Sequence, residues 1–308
     1  MKEKHLLQQT GAVWFFAMVC CFLWGSAFPC IKIGYELFKV DSADTASQIL
    51  FAGLRFTLAG ILVVLFYSIM QKKPMLPKKT SWGMVGAISM FQTVLQYFFF
   101  YVGLAHTTGV KGSIIEASNV FMAIIFASLI FHQEKIDMTK AIGCIIGFAG
   151  VVLVNLTGSG LGGGIRLDGE GFMLIACAAY AMSSVLIKRF SEREDPVVIS
   201  GYQFTIGGIV MMAIGFFMGG RLHGGGLSAI LLLLYMAMIS AVAYSVWSLL
   251  LKYNPVSKVT VFGFMTPVFG VVLSAVFLGE AASMPWLQSL IALVLVSAGI
   301  YIVNRKSE

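Results

Sequence analysis

The chain of 308 residues is 58% hydrophobic and only 11% charged, with a mean hydropathy of +0.89. Soluble domains are about 45–50% apolar and about 25% charged, so a water-soluble globular fold is excluded. A formal charge of +7 would point to nucleic acid in a soluble protein, but in a membrane protein it points first to basic cytoplasmic loops. At about 20 residues per spanning helix the length allows about ten spans, leaving almost nothing for a soluble ATPase, kinase or DNA-binding module.

Apolar runs predict spans at 12–35, 47–70, 81–105, 111–131 and 136–156, then at 169–189, 196–218, 226–251, 257–278 and 284–303. The fold class expected is an all-α integral membrane protein of ten transmembrane helices. Each run is continuously apolar for about 20 residues, unlike the ten-residue alternation of a transmembrane barrel. The first is too long for a signal h-region and lacks a small-residue cleavage site, so it reads as a retained span.

Ten spans put both termini on one side. With the N-terminus cytoplasmic, fifteen basic residues lie inside: Lys2, Lys4, Lys72, Lys73, Lys78, Lys79, Lys135, Lys140, Lys188, Arg189, Arg193, Lys252, Lys258, Arg305 and Lys306. Only five, Lys32, Lys39, Lys111, Arg166 and Arg221, lie outside, so the positive-inside rule places both ends in the cytoplasm. The positive charge is then mostly topology and calls for no nucleic-acid partner. Cys20, Cys21, Cys30, Cys144 and Cys177 all fall in predicted spans without metal-ligand spacing, and read as small packing residues, with no metal site.

A Gly-rich segment at 157–168 divides the chain into units 1–156 and 169–308. Gly53–Ile61 matches Gly201–Ile209 at five of nine positions, aligning Arg55 with Gln203. Ala149-Gly150 with Val154-Asn155 is echoed by Ala298-Gly299 with Val303-Asn304, Glu134 by Glu280, and Lys32 by Lys188, each lysine following its span. Five helices per unit is odd, so a duplicated unit enters from the opposite face. Inverted repeats of this kind rock around a central site, the architecture of alternating access.

Phe22-Leu23-Trp24-Gly25-Ser26-Ala27-Phe28, Leu54-Arg55-Phe56, and Thr266-Pro267-Val268-Phe269 followed by Phe277-Leu278-Gly279-Glu280 resemble the EamA family of the drug/metabolite transporter superfamily. The first half departs from that pattern, with Asn119-Val120-Phe121 where a proline is common and Phe131-His132-Gln133-Glu134 in place of Leu-Gly-Glu. The resemblance implies secondary-active transport, most often export, of small metabolites or amino acids by a multi-pass bacterial inner-membrane protein.

Charges inside spans are costly, about 2.5–3.5 kcal/mol each at mid-bilayer on insertion scales, and mark function by default. Arg55 and Glu116 qualify. At 1.5 Å per residue they lie about 12 Å and about 8 Å from the outer ends of helices two and four, near enough in depth to share a cavity. Glu116 reads as a proton-coupling or substrate-amine carboxylate, or as a structural partner of Arg55. Arg55 reads first as a lock between helices two and four, because Gln203 keeps its polarity without charge, and otherwise as a counter-ion for a substrate carboxylate.

Gln92 and Gln96, four apart, are expected on one face of helix three, with Asn119 near the face of Glu116. Tyr244, Trp247 and Ser248 on helix eight, with Tyr180, Ser183 and Ser184 on helix six, outline an aromatic and hydroxyl-lined pocket, the alternative being packing or an interfacial belt. Trp24 and Gly25 precede Pro29, which interrupts the hydrogen-bond ladder, so helix one is the preferred gate. Gly263 and Pro267 offer a second hinge. Glu134 and Glu280 read as loop ties, and His106 as a loop histidine beside Lys111. Gly143 and Gly147 form a GxxxG pattern, placing helix five in a scaffold or homodimer contact. No nucleotide-binding loop, His-Glu-x-x-His or Gly-x-Ser-x-Gly occurs, so neither ATP, another cofactor nor an enzymatic reaction is expected. The partners expected are a small solute and the bilayer, with proton-coupled metabolite export first and efflux of lipophilic cations as the alternative.

Overall fold

The computed structural model describes residues 6–41, 43–107, 112, 115–155, 166–277 and 286–305. Among these, all regular structure is helical: α1 Thr10–Leu37, α2 Thr45–Met70, α3 Lys79–Ala105, α4 Ile115–Ile130, α5 Met138–Asn155, α6 Leu167–Phe190, α7 Pro196–Phe217, α8 Leu227–Tyr253, α9 Val256–Phe277 and α10 Trp286–Arg305. Seven of them, α1–α3 and α6–α9, are long and apolar enough to cross a membrane, while α4, α5 and α10 contain shorter apolar helices. The fourth, fifth and tenth predicted spans are therefore met by shorter apolar helices. Lys32 and Lys188 lie inside α1 and α6 rather than after them, because a long aliphatic stem lets a lysine remain helical near a span end. The glycine-rich segment from 157 to 165, Lys111 and Glu280 fall outside the described residues.

The closest packing joins α2 to α7. A Cβ on Gly60 would collide with the Thr205 amide and the Gly201 carbonyl, and one on Gly208 with the Thr57 amide and the Gly53 carbonyl. Higher residues of one helix meet lower residues of the other, so the pair is antiparallel. Thr57 Oγ1 donates to Gly53 O at 2.8 Å, and Thr205 Oγ1 donates to Gly201 O at 2.9 Å. Each hydroxyl is satisfied within its own helix and stays compact. Gly143 and Gly150 of α5 likewise meet Gly299 and Ala292 of α10, and Gly147 meets Phe264. The face carrying the GxxxG pattern is thus filled within the chain, by α10 and α9.

Two helices change pitch. In α3, Ser89–Leu95 is π-helical, and α9 contains a 3-10 turn at Val261–Phe264. Helix α1 continues through Pro29, which has no N–H to donate to the carbonyl of Gly25 four residues earlier. Gly25 itself packs against Phe269 and the Gly270 backbone of α9.

At the end of the bundle carrying the 71–78 and 191–195 connections, polar contacts replace apolar ones. Tyr67 Oη donates to Asp195 Oδ2 at 2.7 Å, and the Lys78 amide donates to Glu194 Oε2 at 2.8 Å. Burial pushes the Glu194 carboxyl up, but hydrogen bonds from the amides of Lys78 and Asp195, from Ser81, and the charge of Lys78 outweigh it and hold the group below its ordinary value. At the same end, Glu134 Oε1 accepts from the Ser257 amide at 2.8 Å while Oε2 takes Lys140 Nζ at 2.8 Å and the Ser257 hydroxyl. Lys188 Nζ donates to Asn254 O at 2.5 Å, and Asn254 Nδ2 to Leu7 O at 2.8 Å. These bonds join the ends of α4, α6, α8 and α9.

Two predictions follow from this packing. Gly60→Ala forces α2 from α7 and should cost about 1–3 kcal/mol, the usual range for overpacking. Gly83→Ala, which has nothing within 4 Å, should leave melting in detergent unchanged or raise it. Equal melting of the two variants would contradict the close contact. A carboxyl held low in the folded chain adds stability that is full above the unfolded value, about 4.3, and is lost as pH falls through the folded value. Glu194→Gln should therefore lower the melting temperature at pH 7 and flatten its decline on acidification below that point.

Candidate functional site

A cavity of about 130 Å³ lies among α1, α2, α3, α4, α6, α8 and α9. Its wall holds Trp24, Phe28 and Ile31 from α1, Arg55 from α2, and Gln96, Tyr97, Phe100 and Tyr101 from α3. It is completed by Glu116 and Asn119 from α4, Tyr180 from α6, Tyr244 and Trp247 from α8, and Thr260, Gly263, Thr266 and Pro267 from α9. Arg55 is the one basic and Glu116 the one acidic residue of this lining.

Arg55 is buried, 4% exposed. Its Nε and Nη2 donate to Ser240 Oγ on α8 at 3.2 and 2.9 Å, and its guanidinium carbon lies 5.1 Å from the centroid of Phe56. The expected lock between helices two and four is replaced by a tie between α2 and α8. Among the described residues neither Arg55 nor Glu116 makes an ion pair. The guanidinium thus meets only a neutral hydroxyl and a ring face, although a buried charge is ordinarily compensated by an opposite one.

The walls between these two charges are aromatic. Trp24 packs edge-on against Tyr244 and Trp247, with ring centroids 5.1 and 4.9 Å apart. The hydroxyls of Tyr97 and Tyr244 are hydrogen-bonded at 2.6 Å, Phe56 lies 4.4 Å from Tyr97, and Phe204 lies 4.8 Å from Tyr244. Trp24 Nε1, Trp247 Nε1 and Gln96 Oε1 are buried without a hydrogen-bond partner. A buried polar atom left unpaired costs about 1–3 kcal/mol, so these groups retain unused hydrogen-bonding capacity at the cavity wall.

Of the residues singled out from sequence, Trp24, Arg55, Gln96, Glu116, Asn119, Tyr180, Tyr244, Trp247, Gly263 and Pro267 share this one cavity. Gln92, Gly25 and Pro29 do not line it. Gln92 is buried in the π-helical stretch and, unlike Gln96 four residues on, does not reach the cavity. Ser183 and Ser184 donate to Tyr180 O at 2.7 and 3.1 Å, and Ser248 pairs with Ser200 at 3.0 Å. Their hydroxyls are spent on packing. His106 lies outside the cavity, its Nε2 3.9 Å from Asp168 and its Nδ1 2.8 Å from Val102 O. Sequence reasoning missed Tyr97, Phe100 and Tyr101. Their i, i+3, i+4 spacing beside Gln96 marks an aromatic face, but helix three is so rich in phenylalanine that this face does not stand out. Ser240 was missed as well, since nothing local distinguishes it.

The sequence pattern that defines the EamA-like transporter family matches residues 11–156 and 167–305. An uncharacterized transporter of Synechocystis is 29% identical, the alignment covering 93% of this chain and 88% of the relative. An uncharacterized transporter of Bacillus subtilis is 26% identical over 93% and 89%. A probable amino-acid metabolite efflux pump of Salmonella typhimurium is 24% identical over 94% and 93%. One solved crystal structure shares the fold, with a TM-score of 0.78 over 97% of this chain and 100% of that one, at 17% identity.

The tie between Arg55 and Ser240 yields a stability prediction. Ser240→Ala leaves two guanidinium donors unpaired and should cost about 1–3 kcal/mol. Arg55→Met combined with Ser240→Ala should melt higher than Ser240→Ala alone, because the uncompensated charge is gone. Identical melting of Ser240→Ala and the unaltered chain would show that the hydroxyl carries no such load.

Proposed function

The chain belongs to the EamA-like transporter family, a multi-pass membrane family of transporters and not of enzymes, and on that premise we propose that it exports small zwitterionic or amphipathic metabolites, amino acids foremost, by proton-coupled alternating access. The observation that carries this reading is the cavity itself, with one guanidinium and one carboxyl, neither paired to protein charge among the described residues, set in aromatic walls. A carboxylate of the solute suits Arg55 and an ammonium suits Glu116, while the rings take the solute's apolar part. Glu116 is also the group that can exchange a proton without breaking a salt bridge. Metabolite export draws support from the name of the Salmonella relative.

The architecture we propose is two inverted five-helix halves, 1–156 and 169–308, in the inner membrane with both termini cytoplasmic. The matched segments around Gly53 and Gly201 pack on one another, and the ends of both halves do the same through α5 and α10, contacts that support a pseudo-two-fold relation. With the termini inside, the bonds of Glu134, Lys188 and Asn254 close the cytoplasmic end. With that end closed and the lining residues Ile31, Tyr101 and Glu116 toward the outer helix ends of this topology, we read this conformer as the outward-facing one. The 3-10 turn holding Gly263, just before Pro267, supplies a hinge.

Reconstituted chain in vesicles holding a pH-sensitive dye tests the reading. A mixture of L-amino acids should drive proton movement, and Glu116→Gln should abolish it while leaving the melting temperature in place. Arg55→Met should lose solute-driven flux with the fold intact. A response to tetraphenylphosphonium and to no amino acid would instead establish lipophilic-cation efflux, and unaltered pH dependence in Glu116→Gln would remove that carboxyl from coupling.

A further inference from the structure

Arg55 and Gln203 occupy matched positions in the two repeats, as do Phe56 and Phe204. Their partners match as well. Arg55 is bound to Ser240 on α8, and Gln203 Oε1 accepts from Thr93 Oγ1 on α3 at 2.7 Å. Four residues beyond each partner stands a tyrosine, Tyr97 after Thr93 and Tyr244 after Ser240, and these are the two whose hydroxyls meet at 2.6 Å. Phe56 and Phe204 stack on each other, with centroids 5.3 Å apart and planes within 5°. Two pairs of equivalent residues in mutual contact can only lie at the axis relating the halves. The axis therefore runs through an aromatic quartet, with Arg55 to one side of it and Gln203 to the other. By helix rise, Arg55 is about 15 Å from the outer end of α2 and Gln203 about 10 Å from the opposite, inner end of α7.

The two sides are not in the same state. Phe56 meets Tyr97 at an interplanar angle of 43°, whereas Phe204 meets Tyr244 at 82°. Arg55 lines the cavity, but Gln203 is fully buried, with Nε2 lacking any partner. Exchanging the conformations of two inverted halves brings the equivalent residue into the equivalent setting.

We propose that Gln203 is the counterpart of Arg55 in the opposite-facing state, lining the pathway on the far side of the quartet and docking an oxygen acceptor of the solute through its free amide N–H. The inference rests on the alternating-access reading above and adds to it a residue-level site with neutral chemistry. The solute's acceptor oxygen passes from a charged donor at Arg55 to an uncharged one at Gln203, so the charged and neutral subsites face opposite sides of the membrane.

The test is cysteine accessibility in the full chain in sealed vesicles, with a membrane-impermeant maleimide added to one face at a time and labelling measured as the excess over the unaltered chain. Gln96→Cys, on the present cavity wall, should label from one face only. Gln203→Cys should label from the opposite face, at least fivefold faster than from the face that labels Gln96→Cys. Thr93→Cys, a nearly isosteric change on the same contact, should behave like Gln203→Cys and decides the matter if that variant does not fold. Ser257→Cys, at the closed end, separates the two levels of inference. If it labels from the face opposite to Gln96→Cys while Gln203→Cys and Thr93→Cys stay protected, that end opens but Gln203 is no part of the pathway, and the proposal falls alone. If all three stay protected from both faces, alternating access falls with it.

Discussion

Helices in a bilayer gain nothing from expelling water, because lipid tails are as apolar as leucine, so they must hold one another by fit. The contact between α2 and α7 meets that demand through absent side chains. Gly53 and Gly60 on one helix, and Gly201 and Gly208 on the other, let backbone meet backbone along an antiparallel crossing. The remaining features of the site depend on this approach. It brings Phe56 against Phe204, presents Arg55 to α8 and Gln203 to α3, and fixes the tyrosines of those flanking helices within a hydrogen bond of each other. A methyl group at Gly60 would displace this whole arrangement, although none of these four glycines lines the cavity.

The same pair explains why the charges are affordable. An intramembrane guanidinium is tolerated where it faces a polar or wet interior, and here it is buried beside a cavity with a hydroxyl at its back and a ring beneath it. Several polar groups elsewhere are satisfied at short range and without charge, as in the threonine bonds to Gly53 and Gly201 or the serine pair Ser200 and Ser248. The ion pair of Lys140 with Glu134 lies at a helix end. Arg55 and Glu116, by contrast, both line the cavity.

Much of this was legible in the sequence, because a bilayer leaves few choices for the backbone. Every described helix lies within a few residues of an apolar run, and ten of the thirteen residues proposed for binding or hinging line one cavity. What escaped depended on tertiary detail. Comparable depth allows Arg55 and Glu116 a salt bridge or a shared cavity, but depth leaves rotation about the helix axis undetermined; they share the cavity, and the guanidinium turns toward Ser240. Gln92 shares a four-residue spacing with Gln96, but spacing along a helix does not say how deep a side chain is packed, and Gln92 is buried away from the cavity. The GxxxG motif of α5 was legible as a contact but not as an internal one, since the same small residues serve either purpose. The tyrosines of α3 were hidden by their company, a helix in which aromatic residues are too common for any single one to signal a site.

In the inverted-repeat mechanism proposed above, duplication alone would produce a transporter equally disposed to both sides, and the departures from symmetry would give direction. Arg55 against Gln203 is the clearest, a full charge against an amide in otherwise matched surroundings. Had both positions carried arginine, the solute's carboxylate would meet the same charged donor in each state, and release on either side would require breaking it. Replacing one by glutamine weakens the hold on that side only. The ring geometry follows the same logic, since equivalent contacts at 43° and 82° mean that a common set of side chains has two arrangements. A packed core moves between discrete arrangements of this kind rather than deforming continuously, so in the proposed mechanism the quartet would serve at once as the barrier and as the element with two states.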